Sequence, residues 1–130
     1  MKASSLPPAP AEEDTLLIKT YLLHVILLDV LERDIRTLGT LALKLPDVYI
    51  RGLSGVQNRV IYRLTAIRKD MRNRGIRVYE ENRNTKGVEA LYLCRGYQRR
   101  FFMLWSYVKA ETASELCVYL GISLTSDDGK

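Results

Sequence analysis

Arginine is the residue type whose spacing in this chain most suggests chemistry. Residues 51–100 carry 13 basic side chains against 4 acidic ones, and 11 of the 13 are Arg, whereas residues 1–50 and 101–130 are each net acidic. The planar guanidinium fork matches phosphate and carboxylate geometry, so this stretch points to a polyanionic partner. Arg59 and Arg63 stand four apart, as do Arg68 and Arg72, a spacing that puts each pair on one helix face. Arg51 lies two turns before Arg59, Lys69, Arg74 and Arg77 crowd the same region, Arg83 and Lys86 follow, and Arg95, Arg99 and Arg100 come last. Tyr62, Tyr79, Tyr92 and Tyr97 are interleaved. Arg59, Arg63, Arg68, Arg72, Arg99 and Arg100 form the candidate nucleic-acid-binding set. A solvated, salt-bridged helix face accounts for the same run of charge, and so does an acidic protein partner. Cations suit a helix C-terminus, so Arg99 and Arg100, expected at a helix start, fit the solvated-face reading least well.

Little else in the chain is equipped for catalysis. His24 is the only histidine and lies on an apolar stripe, where a packed side chain is the simpler reading than a metal ligand. Cys94 and Cys117 are too far apart for a C-x-x-C redox pair and have only His24 to serve as a base, so both read as small, partly buried hydrophobes without a disulfide. Glu80, Glu81 and Glu89 read as cross-strand partners of Arg77, Arg83 and Lys86 rather than as an acid–base pair. No phosphate-binding glycine loop, nucleophile elbow or dinucleotide fingerprint occurs. The expectation is a protein that is not an enzyme, with no cofactor and no metal.

The elements that must position the arginines are legible from hydrophobic period. Residues 1–13, with Pro7, Pro8 and Pro10 followed by acids, read as a disordered leader. Asp14 or Thr15 can cap a first helix. Leu17, Tyr21, His24, Leu28, Leu31, Ile35 and Leu38 then form a helical stripe ending near Gly39. Residues 16–31 are apolar on further faces, so this segment should be central to the fold or half of a dimer contact. Pro46 suits the first turn of a second helix, in which Gly52 and Gly55 allow a loose or kinked start. Tyr49, Leu53, Val56, Val60, Leu64, Ile67 and Met71 continue that helix and Gly75 ends it. The period then switches to two. Residues 76–81 and 88–94 around Asn84-Thr85-Lys86-Gly87 predict a β-hairpin, with Gly96 breaking its second strand. A third helix is expected from about Tyr97 to Leu120. It would turn Phe101, Leu104, Trp105, Val108, Thr112, Leu116, Tyr119 and Leu120 inward, with Gly121 after its end. The predicted class is α+β, mainly α: three main helices packed with one hairpin between the second and third, a single domain over 14–121 and a flexible tail over 122–130. A winged-helix reader fits poorly, because nothing after Gly55 supplies the turn ahead of a recognition helix.

At 130 residues the chain has room for one core, and 47% apolar with 27% charged residues is the composition of a globular protein. The start of the chain does not read as a secretory signal, and residues 16–31 fall short of the ~20 apolar residues of a membrane span. A cytoplasmic location with reduced cysteines and no membrane contact follows as the expectation.

Residues 68–97 support a resemblance. The helix end, Gly75-Ile76-Arg77-Val78, Glu80-Glu81, the turn and Tyr92-Leu93-Cys94-Arg95-Gly96-Tyr97 look like small uncharacterised helical proteins of bacilli of the YhjD type. In these a long first helix precedes a basic helix, a hairpin and a Gly-Tyr-led last helix. The resemblance spans most of residues 14–121, with the leader outside it. It implies a bacterial cytosolic accessory protein and brings no known activity, ligand or catalytic residue. The residues favour a non-catalytic accessory or regulatory module that touches nucleic acid. The alternative is a helix-mediated protein-interaction subunit, such as a homodimer, contacting its partner through the first helix.

Overall fold

The computed structural model describes residues 9–124. Its elements are α1 (Glu12–Leu38), α2 (Pro46–Asn73), β1 (Ile76–Arg83), β2 (Gly87–Cys94), β3 (Tyr97–Leu104) and α3 (Trp105–Leu120). The three strands form one antiparallel sheet in the order β1-β2-β3. Among the described residues no helix is long and apolar enough to cross a membrane.

Helix α1 starts two residues before the expected cap and takes in Glu12 and Glu13 from the segment read as a leader. Asp14 sits in its first turn, where the carboxylate accepts the Ala11 N–H at 2.8 Å. Residues 1–8 of the expected leader and 125–130 of the expected tail lie outside the described residues. Helix α2 runs without interruption through Gly52 and Gly55. Gly75 leaves it at φ +70°, the left-handed region that glycine enters at little cost.

The hairpin forms where the alternation placed it, and its turn is an Asx type. The Asn84 side-chain oxygen accepts the Lys86 N–H at 2.8 Å and the Gly87 N–H at 3.1 Å. Gly96 does not end the sheet. Arg95 (φ 50°) and Gly96 (φ 90°) are the two central residues of a tight turn with the positive φ angles that suit adjacent antiparallel strands. Residues 97–104, expected to begin the last helix, therefore form β3, paired along its whole length from Cys94↔Tyr97 to Gly87↔Leu104. The helix starts only at Trp105, held by two bonds to the first turn: its backbone N–H donates to Lys86 O at 3.1 Å, and its indole N–H to Asn84 O at 2.6 Å. Leu104 and Leu120, expected inside, are exposed, while Val108 and Thr112 are buried as expected.

One sheet face lies on the helices. Val88, Ala90, Tyr92 and Cys94 alternate inward along β2 and pack with Ile18, Leu22, Leu23 and Ile26 of α1 and Ile67 and Met71 of α2. A smaller cluster joins Leu27 and Leu31 to Val56 and Val60. Residues 16–31 of α1 are thus central, with Leu16 and Val30 their only large exposed hydrophobics. A register shift between Val78 and Glu80 leaves Tyr79 as the extra residue of a bulge. Past it the inward phase passes to odd positions. Arg83 then reaches Asp29 of α1 at 2.9 Å and Glu81 at 2.9 Å.

Gly87 tests the closeness of this sheet. A Cβ there would stand 2.0 Å from the Met103 carbonyl oxygen. Gly87→Ala is expected to lower unfolding free energy by about 1–3 kcal/mol or more, through overpacking, in a urea titration. A wild-type midpoint would contradict the β2–β3 contact described.

Candidate functional site

The six arginines of the candidate set do not meet on one surface. Arg63 and Arg68 are five residues apart, roughly 140° around a helix, so Arg59 and Arg63 flank one side of the buried α2 stripe and Arg68 and Arg72 the other. Arg99 and Arg100 are neighbours in a strand and point to opposite sheet faces, Arg99 beside Tyr92 and Arg100 beside Leu91. Three of the six are engaged within the molecule. Arg59 donates to the Tyr119 carbonyl at 2.7 Å, satisfying an acceptor in the last turn of α3, and its guanidinium lies 5.7 Å from the Tyr119 ring centroid. Arg68 sits over the Tyr21 ring at 5.8 Å. Arg100 pairs with Glu89 and covers Phe102 at 5.7 Å. Among the described residues no carboxylate lies within ion-pair distance of Arg63, Arg68, Arg72 or Arg99.

Basic side chains do gather at the end of the molecule where α2 gives way to β1. Arg72, Arg74 and Arg95 line a cleft of about 560 Å³ with Ala9, Ala11, Glu13 and Asp14. Asp14, among these residues, is fully buried, with 0% exposure. Arg95 donates to it at 2.7 Å and Arg74 at 2.9 Å. The same Arg95 guanidinium donates to Arg74 O at 2.7 Å and Ala9 O at 3.0 Å, while the Arg95 backbone N–H donates to Gly75 O at 2.8 Å. The Arg95 hydrogen bond, ahead of those from Ala11 and Arg74, outweighs burial and holds the Asp14 carboxyl far below the usual carboxylate range. Asp14 was legible as a capping residue. Its arginine partners, 60 and 81 residues away, were not.

Other groups are structurally committed. Buried His24 donates from Nδ1 to Thr20 O at 2.9 Å, and its Nε2 shares a hydrogen bond of 2.9 Å with the Tyr119 hydroxyl and lies 3.9 Å from the Glu115 carboxylate. Burial raises the Tyr119 hydroxyl pKa and keeps it a donor. Cys94 is buried and Cys117 partly so, and both are free thiols. Burial, followed by the Asp14 charge, pushes the Cys94 thiol up and away from reactivity.

An apolar surface missed in the sequence lies at the opposite end of the helical hairpin. Leu41, Leu43, Leu45, Val48 and Tyr49 fall within nine consecutive residues, and each is between 36% and 61% exposed. Tyr49 had been expected on the core stripe of α2, but burial in that helix begins in earnest only at Val56.

The family described as YhjD protein matches residues 9–124. The chain belongs to that family. The YhjD match takes in all three helices and all three strands, more than residues 68–97 alone conveyed. No curated protein and no solved structure matches.

The Asp14 cluster gives a signed expectation for pH. Its folded pKa is depressed from an unfolded value near ~3.9, so its stabilisation is present above that value and is lost as pH falls toward the folded one. Asp14→Asn is expected to cost about 2–4 kcal/mol at neutral pH. The gap between native and variant, followed by urea titration, should close as pH falls through and below the carboxylate range. A gap that stays constant with pH would exclude the ionised carboxylate as the source.

Proposed function

We propose that the chain is a non-catalytic protein-interaction module that pairs with a second copy of itself through the α1–α2 turn and the flanking helix ends. The supporting observation is the run of five exposed apolar side chains between Leu41 and Tyr49, since folded monomers seldom leave such groups of large hydrophobics in water. The surrounding charge suits a like partner. Glu32, Asp34 and Asp47 alternate with Arg33, Arg36, Lys44 and Arg51, so a two-fold contact can set acid against base on both sides. Residues 16–31 are largely used by the chain's own core, which moves the contact from the body of the first helix to its far end.

A concentration-dependent dimer is expected in sedimentation equilibrium. Leu45→Glu with Val48→Glu should give a monomer with an unchanged circular dichroism spectrum, because both side chains are exposed. A native chain that remains monomeric at its highest soluble concentration would end this reading.

Nucleic-acid contact is the second reading, favoured by the pair Arg68 and Arg72. Both are exposed on one flank of α2 and line one shallow cleft with Tyr21 and Val78. Fluorescence anisotropy with a mixed-sequence duplex should then show weak binding whose log–log salt slope is about 0.9 per phosphate neutralised. Replacing both arginines with Ala should shallow that slope by up to about two contacts. Absence of binding at low salt would exclude it.

A further inference from the structure

Helix α3 is held to the rest of the molecule differently at its two ends. Its first turn is anchored by the backbone and indole of Trp105 on Lys86 O and Asn84 O. Along the helix only Val108 and Thr112 are buried, against eight residues of α1. An open groove of about 530 Å³ runs between the two helices, with Ile26 and Val30 on one side and Trp105 and Ala113 on the other. An element that buries so few side chains depends on specific bonds to stay docked. At the far end of α3 those bonds gather on Tyr119, in the last turn.

His24 and Tyr119 join three helices. The His24 side chain is buried, with Nδ1 2.9 Å from Thr20 O and Nε2 2.9 Å from the Tyr119 hydroxyl. A carbonyl can only accept, so Nδ1 carries a proton. In the neutral ring Nε2 is then an acceptor, and the Tyr119 hydroxyl is its donor. The imidazolium carries N–H at both positions, and Tyr119 loses that acceptor. The charged groups around the pair come from all three helices. From α2, Arg59 donates to Tyr119 O at 2.7 Å and lies over the Tyr119 ring, and the Arg63 charge also acts on the hydroxyl. From α3, the partly exposed Glu115 carboxylate stands 3.9 Å from Nε2. From α1, Lys19 is paired with Glu111 of α3 at 3.0 Å, so those two charges offset each other. Two arginines thus oppose one carboxylate, and a ring at 1% exposure has no water to solvate a charge. The neutral ring holds Tyr119, so the bond is present above the range in which imidazoles titrate and is lost as pH falls through it.

We propose that α3 is a pH-released strap: protonation of His24 frees Tyr119, and the last turn of α3 then lifts from the α1–α2 hairpin while Trp105 keeps the first turn in place. Release uncovers the cluster of Leu27, Leu31, Val56 and Val60, against which Leu116 and Tyr119 pack. His24 is the only histidine, so between about pH 5.5 and 7.5 no other side chain crosses its ordinary titration range. The Asp14 cluster does not share the response, because its carboxyl keeps its charge far below that window. The strap does not involve the Leu41–Tyr49 surface, so the two proposals stand or fall separately.

Hydrogen exchange of the native full-length chain, followed by mass spectrometry at pH 7.5 and 5.5 with each rate referred to the intrinsic rate at that pH, tests the strap. Protection of residues 115–121 is expected to fall about three- to tenfold at the lower pH, one hydrogen bond's worth, while strand β2 stays unchanged. Tyr119→Phe keeps the ring and removes the hydroxyl, so it should lower that protection already at pH 7.5 and flatten the pH response. Glu115→Gln removes the facing carboxylate and should enlarge the response. His24→Gln should abolish it, with circular dichroism confirming the fold and Tyr119→Phe carrying the test if that variant does not fold. Equal protection of residues 115–121 at the two pH values in the native chain would overturn the proposal. A fall shared equally by β2 would also overturn it, since the whole domain would then be loosening. So would a full response in Tyr119→Phe, and a smaller response in Glu115→Gln would overturn the electrostatic cause.

Discussion

The Asp14 carboxylate joins three stretches of chain that are remote in sequence: the first turn of α1, the α2–β1 junction and the β2–β3 turn. A carboxylate with no exposure stays ionised only where cations and N–H donors replace the water it has lost, and here Arg95, Arg74 and the Ala11 N–H do so. The arrangement also constrains the backbone. Arg95 holds Gly75 O through its own N–H and Arg74 O through its guanidinium, so the left-handed residues ending α2 and turning β2 into β3 are fixed against each other. Arg95 adopts φ 50° without being glycine, a conformation that needs support from its surroundings, and these bonds supply it.

The consequences run outward from that end. With the β2–β3 turn set, Val88, Ala90, Tyr92 and Cys94 face the helices and the larger core cluster closes around them. Lys86 and Asn84, at the other end of the sheet, then seat Trp105 and start α3. The helical hairpin is consequently asymmetric. One end is tied into the sheet by charge and packing, whereas beyond Leu31 and Val56 few side chains of either helix are buried.

The punctuated helix ends were readable: Gly39 after α1, Pro46 at the head of α2, Gly75 after it and Gly121 after α3, whereas the start of α3, expected near Tyr97, lies at Trp105. The hairpin was readable from period two and Asn84. Strand β3 was not, because Phe101, Leu104, Trp105 and Val108 keep three- and four-residue spacing while the inward positions 97, 99, 101 and 103 include Arg99. Only pairing with β2 resolves that ambiguity. The bulge at Tyr79 left no signal, since one extra residue changes phase without changing composition. The separation of Arg63 from Arg68 was available in the five-residue gap between them. By contrast, the Asp14 cluster arises from residues far apart in sequence, which local periodicity does not relate.

The sheet order gives Arg99 and Arg100 a meaning that does not depend on any ligand. Among the described residues strand β3 pairs on one side only, so its other side presents peptide groups without a ladder partner. Two consecutive arginines near the middle of that edge put a guanidinium above the sheet and another below it. A second strand that docked there would have to bring its own side chains against a charge on each face. Edge strands in soluble proteins are commonly guarded in this manner against sheet-to-sheet aggregation. On a bare sheet edge, that pattern of side chains disfavours the addition of a further strand.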